Sequence, residues 1–389
     1  MKEPVVVTGI GLVTPLNTFE PVDNFWRSLC SGIDAVSWLP SPMLDTGRKW
    51  LMAGIDAGPG VAPEDKFFYI ADYAIRTAMQ DARIGGELAG LSIGTVLGNI
   101  LSKQKRLMHD RKGTAHSINT ESLSYPAKRL AERHNLDGPR LSISTACASG
   151  TDAIGIAARK ISGGKAEVMV AGGADVLSDF ALTGFHALRA LTETKVRPFD
   201  RNRSGLALGE GAAFLVLESE HHATERGAKI YGRILGYSSR LDAHHLTAPH
   251  REGRGLTDAV RQALVEASLG SEGIGYINAH GTGTVYNDLM ETTVIKKVFG
   301  EAAYRIPISS TKSMLGHSFG AAGAIETICC LLAIWDKKVP PTINYEEMDP
   351  QCDLDYIPNE ARSLDLRYAM SLSAGFGGQN SAIIVGGAE

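Results

Sequence analysis

Residues 141–161 read LSISTACASGTDAIGIAARKI. Aliphatic residues open the stretch, Ser144 and Thr145 follow, and small residues surround Cys147. From there Ala153, Ile154, Ile156 and Ala157 recur at helical spacing. The stretch therefore predicts a strand, a tight turn and a packed helix. Residues 307–328, PISSTKSMLGHSFGAAGAIETI, repeat that plan from β-branched start through Ser-Thr to a small-residue helix. Such duplication implies a chain of two like halves, divided near residue 236 into 1–235, which holds Cys147, and 236–389, which holds His280 and His317. A single large α/β domain is the alternative reading of the same repeat.

Working outward, short β-branched runs at 5–8, 167–171, 213–217, 230–235, 275–279 and 382–385 alternate with segments of helical period at 68–83, 151–162, 256–267 and 321–335. That alternation places helices over sheets in an α/β architecture. With 389 residues and 44% hydrophobic content, the chain can bury a large core. Its 39 basic and 43 acidic residues leave a net charge of −4, too small to argue for nucleic acid or a membrane surface as partner. Five cysteines, an odd number without CxxC spacing, fit a reducing compartment. The start, MKEPVVVTGIG, reads as a first strand and not as a secretion signal, and no apolar run reaches membrane-spanning length. A cytoplasmic enzyme is expected.

A thiol at a helix start feels the positive end of the helix dipole, which lowers its pKa, and the nearby backbone N–H groups can hold an oxyanion. Alone, Cys147 reads equally well as a small buried hydrophobe. Two histidines in glycine-rich turns shift that balance. His280 follows a strand in NAHGTGTVYND (278–288), where an α/β sheet presents residues to a ligand. His317 precedes a helix in STKSMLGHSFGAAGAIE (310–326), five residues after Lys312. A cysteine, two imidazoles and a lysine imply acyl chemistry. No HxxxH, HxH or carboxylate spacing completes a metal-ligand set, so no metal is expected.

These motifs, with VVVTGIGLVTPL (5–16), VAGGADVL (170–177), GFHALRALT (184–192), RPFDRNRSGLALGEGAA (197–213), DAHHLTAP (242–249) and GFGGQN (375–380), stand in one order. In that order the sequence resembles the elongating, decarboxylating β-ketoacyl-[acyl-carrier-protein] synthases, almost end to end. The resemblance implies the thiolase fold, an α/β structure of five layers, α-β-α-β-α, from two pseudo-repeated halves. It implies a homodimer or a heterodimer with a related subunit, and an acyl carrier protein that brings acyl and malonyl groups.

By the same resemblance Cys147 is the nucleophile, and His280 and His317 stabilise the enolate left by decarboxylation. Lys312 and Glu326 form the charged cluster beside them, and Phe376 is a gate whose backbone N–H joins that of Cys147 in an oxyanion hole. Thr282, Thr284 and Thr247 match the pantetheine contacts, Phe185 an acyl-pocket wall and Arg189 a carrier contact. Asp288 and Glu291 match acids that tie loops near the site. No metal or organic cofactor is implied, and a structural monovalent cation is compatible with the family.

This chain also departs from the pattern. Leu206 and Ala374 stand where phenylalanine is common, which removes aromatic volume near the gate. Lys66 is the one basic residue in APEDKFFYI (62–70), where relatives carry several; Lys103, Lys105, Arg106, Arg111 and Lys112 are alternative carrier contacts. Four rival families lack the fit these residues give. A thiolase needs a second cysteine near the C-terminus, an initiating synthase has asparagine in place of His317, and a non-catalytic chain-length-determining subunit generally lacks the cysteine. A cysteine hydrolase needs water access.

Overall fold

The computed structural model describes residues 3–86, 89–109 and 122–388. Arg111 and Lys112 lie outside them. Ten strands form the main sheet among these residues: β1 (Val5–Val13), β2 (Ala89–Gly94), β3 (Arg140–Ile143), β4 (Val168–Asp175), β5 (Gly211–Ser219), β6 (Gly232–Leu241), β7 (Tyr276–Asn278), β8 (Ile308–Ser309), β9 (Tyr368–Gly375) and β10 (Gln379–Gly386). Their spatial order is β8-β7-β9-β10-β6-β1-β5-β4-β2-β3.

This row is two copies of one motif. Read from the seam outward, β1-β5-β4-β2-β3 and β6-β10-β9-β7-β8 share the same directions, with two antiparallel pairings followed by two parallel ones. The copies meet where Val5–Val7 pair antiparallel with Gly232–Ile234. The expected boundary at residue 236 falls inside β6.

Six helices complete the layers: α1 (Lys66–Ala82), α2 (Tyr125–Arg133), α3 (Ser149–Ser162), α4 (Arg254–Ala267), α5 (Val285–Phe299) and α6 (Ala322–Asp336). α3 and α6 pack on each other and on strands of both halves. α1 covers β1, β4 and β5, while α4 covers β6 and β10. The five-layered α-β-α-β-α sandwich follows.

Period-two burial makes these layers. In β5, Ala213, Leu215 and Leu217 join the central apolar cluster around α3 and α6, while Ala212, Phe214 and Val216 join the outer cluster beneath α1. β10 likewise sends Ile383 and Val385 inward, and Ala382 and Ile384 toward α4. Strands buried on both faces read as continuous apolar runs, which is why β5 and β10 were visible in sequence. β9 (YAMSLSAG), rich in small residues, was not.

The central helices cross closely. A Cβ on Gly150 would lie 2.5 Å from the Gly320 carbonyl oxygen and 2.9 Å from the Ala324 nitrogen, so only glycine lets them touch there. One expectation is corrected here: residues 319–336 are long and apolar enough to cross a membrane, with mean hydropathy 1.5 over 18 residues. Within the fold 83% of that window is buried, because α6 has protein on every side. A carboxylate then links the halves. Asp152 on α3 accepts hydrogen bonds from Thr145 Oγ1 (2.6 Å) in its own half and from Tyr237 OH (2.9 Å), Ser239 Oγ (3.3 Å) and Ser381 Oγ across the seam.

Candidate active site

Cys147 sits between β3 and α3, just before the helix. Directly ahead of it Ala146 adopts a left-handed backbone (φ 49°), which turns the chain toward the sheet ends. His280 lies two residues past the end of β7, and His317 between β8 and α6. These three positions, far apart in sequence, meet in one buried chamber: the sulfur and one ring nitrogen of each histidine lie within 4.8 Å of one another. The imidazoles stand edge to face, with centroids 5.2 Å apart. Phe185, Thr247, Thr282 and Phe376 line the same space.

Phe376 closes it. Its ring stacks on Phe185 at 5.4 Å, leaving a chamber of about 60 Å³, room for roughly two waters. An acyl chain therefore needs the gate to move. The backbone N–H of Phe376 lies near enough to the Cys147 sulfur to favour its thiolate, so the gate and the nucleophile are neighbours. The preceding Gly375 allows that approach, since a Cβ there would lie 2.9 Å from the Cys147 nitrogen and 3.1 Å from the Ala146 Cβ. Gly377 N–H donates to the Leu246 carbonyl (2.7 Å) and Asp242 N–H to that of Gly378 (2.8 Å), pinning the gate to the loop that carries Thr247.

Burial sets the electrostatics. It pushes the Cys147 thiol up to about 11, against the Lys312 ammonium and the Phe376 N–H, which both favour thiolate. Sequence reasoning expected the helix start to lower this pKa; desolvation of the anion is the larger effect. Burial also holds both imidazoles well below their ordinary range. Lys312 reinforces this in each, and His317 does so further for His280. Both rings are neutral at physiological pH. His317 Nδ1 accepts the Phe319 N–H (3.2 Å), which puts the ring proton on Nε2, a buried atom without a partner among the described residues. His280 Nδ1 is also buried and unpartnered. Neutral N–H donors in a small buried space suit a developing oxyanion.

Lys312 and Glu326 form a buried ion pair behind the histidines. Burial raises the Glu326 carboxyl to about 7 despite that partner. Glu291 accepts the backbone N–H groups of His280 (2.7 Å) and Gly281 (2.6 Å), and so fixes the turn that aims the imidazole. Asp288 accepts those of Phe199 (2.8 Å) and Gly283 (3.3 Å), tying two loops together. The Thr284 hydroxyl does not cap α5; it meets that of Thr282 at 2.9 Å.

Three expected substrate contacts stand outside the chamber lining: Thr284, which reaches it only through the Thr282 hydroxyl, Leu206 and Arg189. Leu206 packs in an apolar cluster with Leu177, Leu208 and Phe319, beneath Phe185, and Arg189 is exposed beyond the helix Asp179–Ala187. Ala374 lines the chamber, so its missing aromatic volume is felt there. Lys66 is bound to the buried carboxylate of Glu210, which occupies the ammonium that a carrier contact would use.

Sequence reasoning missed Asp175, Asp242, Asn287 and Asn380. The last three line the chamber. Asp175, at the end of β4, accepts from Thr95 Oγ1 (2.8 Å), from the N–H groups of Val96 (2.8 Å) and Leu97 (2.9 Å), and from that of Gly320 (2.8 Å). It thereby locks the turn after His317 to the first half. An acid ending a buried strand was the available signal. The fold also gathers, in Cys147, His280 and His317, three donors a metal could use, a set that sequence spacing does not connect; the Lys312 cation nearby opposes a divalent ion.

Comparison with known proteins fits this geometry. The family descriptions beta-ketoacyl synthase, N-terminal domain, and beta-ketoacyl synthase, C-terminal domain, match residues 2–223 and 231–346. The 3-oxoacyl-[acyl-carrier-protein] synthase 2 of Coxiella burnetii is 37% identical, covering 99% of this chain and 98% of its own; that of a Synechocystis species is 38% identical over 97% of each. Among solved structures, the AntDE:AntF complex, a type II PKS acyl-carrier protein with its ketosynthase bound to the hexaketide, superposes with a TM-score of 0.92 at 35% identity over all of both chains. The ishigamide ketosynthase/chain length factor gives 0.91 at 32%, again over all of both chains.

Proposed function

We infer that this chain, which belongs to the β-ketoacyl synthase family and is an enzyme of fatty-acid or type II polyketide synthesis, performs decarboxylative condensation on Cys147. The sulfur loses its proton and attacks a carrier-bound acyl thioester. The pantetheine thiol leaves with a proton, and the acyl chain is held on Cys147. Malonyl carrier protein then enters, its C–C bond to the carboxylate breaks, and carbon dioxide departs. The enolate oxygen takes hydrogen bonds from His280 and His317. Its carbon attacks the Cys147 thioester and expels the thiolate, which regains a proton from solvent, leaving a β-ketoacyl carrier protein two carbons longer.

The observation that carries this reading is the convergence of one sulfur and two neutral imidazoles in a single buried chamber. Lys312 favours it twice, by holding the imidazoles uncharged and by easing thiolate formation. Thr282 and Thr247 orient the neutral pantetheine arm, Phe376 admits each thioester in turn, and the route calls on no metal or organic cofactor. We assign acyl carrier protein as the source of both thioesters, and a second ketosynthase-like chain, identical or related, as dimer partner in the cytoplasm. Relatives that are complexes with a carrier protein or a chain length factor support both. A non-catalytic subunit has no use for the assembled chamber.

Intact-mass detection of acyl transfer from carrier proteins of varied chain length tests the reading. Cys147 gains the mass of at least one acyl group, and Cys147→Ala gains none. Elongation by Cys147→Ala overturns it.

A further inference from the structure

The loop from Asp242 to His250 divides two hollows. On one side Asp242, Thr247 and Pro249 line the reaction chamber. On the other, the very next residue, His250, opens onto a second cavity of about 370 Å³ at the start of α4. Asp242 organises both sides, because its carboxylate accepts the N–H groups of His250 (3.0 Å) and Gly255 (3.0 Å).

The second cavity is built for an anion. Arg254 and Arg261 from α4 and Lys297 from α5 line it, and none of the three makes a hydrogen bond or ion pair through its side chain with a described residue. A neighbouring cation behaves differently: Lys296, next to Lys297 in the chain, is paired with Asp353. Glu252 and Asp258 also line the cavity, yet neither pairs with those cations. Thr257 adds a second, independent sign. It lines the same space at 2% exposure, and its hydroxyl oxygen is buried with no hydrogen-bond partner. A buried hydroxyl left unpaired costs free energy that a ligand oxygen would recover. The first turn of α4 carries no acidic residue of its own, and the Asp242 carboxylate already takes its Gly255 N–H, so the side chains of Arg254, Arg261, Lys297 and Thr257 carry the case for an anion.

We propose that this cavity binds the phosphate of the pantetheine tether as its thioester enters the chamber past Thr247 and Pro249. The proposal rests on the carrier-dependent condensation above. A neutral arm gains orientation from threonines; its charged end gains affinity from guanidinium groups, which match phosphate oxygens in pairs.

Calorimetric titration with 4′-phosphopantetheine and with pantetheine tests it, followed by loading of Cys147 from the hexanoyl thioester of each. The phosphorylated compound binds wild-type protein about tenfold more tightly and loads correspondingly faster, as charge-assisted contacts of this kind provide. In the R254Q/R261Q/K297Q variant the ratio falls toward one, and Thr257→Val lowers it by about threefold, the loss of one modest hydrogen bond. Lys296→Gln, which removes a nearby cation outside the cavity, preserves the ratio. Equal affinity for the two compounds in wild type, or a preference that survives in the triple variant, overturns the proposal. So does a defect confined to intact carrier protein, which assigns the cations to the carrier's acidic side chains instead. Loading without a phosphate preference defeats only this proposal; a phosphate preference without any loading from carrier protein defeats only the reaction assigned above.

Discussion

The two halves share strand order and direction, yet the turns between their outermost strand and central helix differ. In the first half five residues (144–148) join β3 to α3, and the turn delivers one sulfur atom. In the second, twelve residues (310–321) join β8 to α6, and the longer turn delivers Lys312 and His317. A common scaffold thus fixes where chemistry happens, and turn length decides what each half contributes. Burial acts on both in opposite directions on the pKa scale but to one end. It raises the thiol and lowers the imidazoles, so that all three reacting groups are uncharged at rest.

The largest expected effect separates the halves completely. Cys147→Gln removes the nucleophile, so condensation falls by about 10⁴-fold or more, the scale of losing a catalytic nucleophile. The second half survives, and malonyl carrier protein still releases carbon dioxide, measured as evolved ¹⁴CO₂. Loss of that release in Cys147→Gln would show that the halves are not separable. His280→Ala or His317→Ala is the mirror experiment. Each lowers decarboxylation by about 10²–10³-fold, the cost of one oxyanion donor, while intact mass still shows an acyl group on Cys147.

Smaller effects probe the link between the halves. Lys312→Met leaves the buried Glu326 without its partner; its carboxyl, already raised to about 7, takes up a proton, with a stability loss of about 1–3 kcal/mol by denaturant unfolding. The substitution also raises the Cys147 pKa further, since the ammonium favours thiolate, so iodoacetamide alkylation at pH 8 slows several-fold. The sign reverses for the imidazoles. Without the cation their pKa values climb toward the ordinary range, and the acid limb of the decarboxylation pH profile moves to higher pH. A limb that stays put would remove Lys312 from the electrostatics of the histidines.

Much of this was legible in the sequence because the relevant signals are local. Cys147 and His317 stand in small-residue turns that only a strand-to-helix transition explains, and His280 follows a strand of clear β-branched character. Strands buried on both faces, such as β5, announced themselves as apolar runs. Other features depend on depth or distance, which composition does not record. The helix start at Cys147 argued for a lowered pKa, and only the fold shows that its sulfur is desolvated. Asp175 and Asp242 work through backbone N–H groups of loops far away in the chain, so no spacing marks them. The apolar α6 has the length and hydropathy of a membrane helix until its surroundings are known, and Lys66 looked available until Glu210 was found beside it.

The seam between the halves is only three residues long on each strand, and Asp152 reaches over it to hydroxyls of β6 and β10. Recombination between relatives is constrained accordingly. A chimera that takes its first half from one parent and its second from another inherits a joint whose registry neither parent selected. Such hybrids will keep their activity only where the residues facing that carboxylate travel together with it.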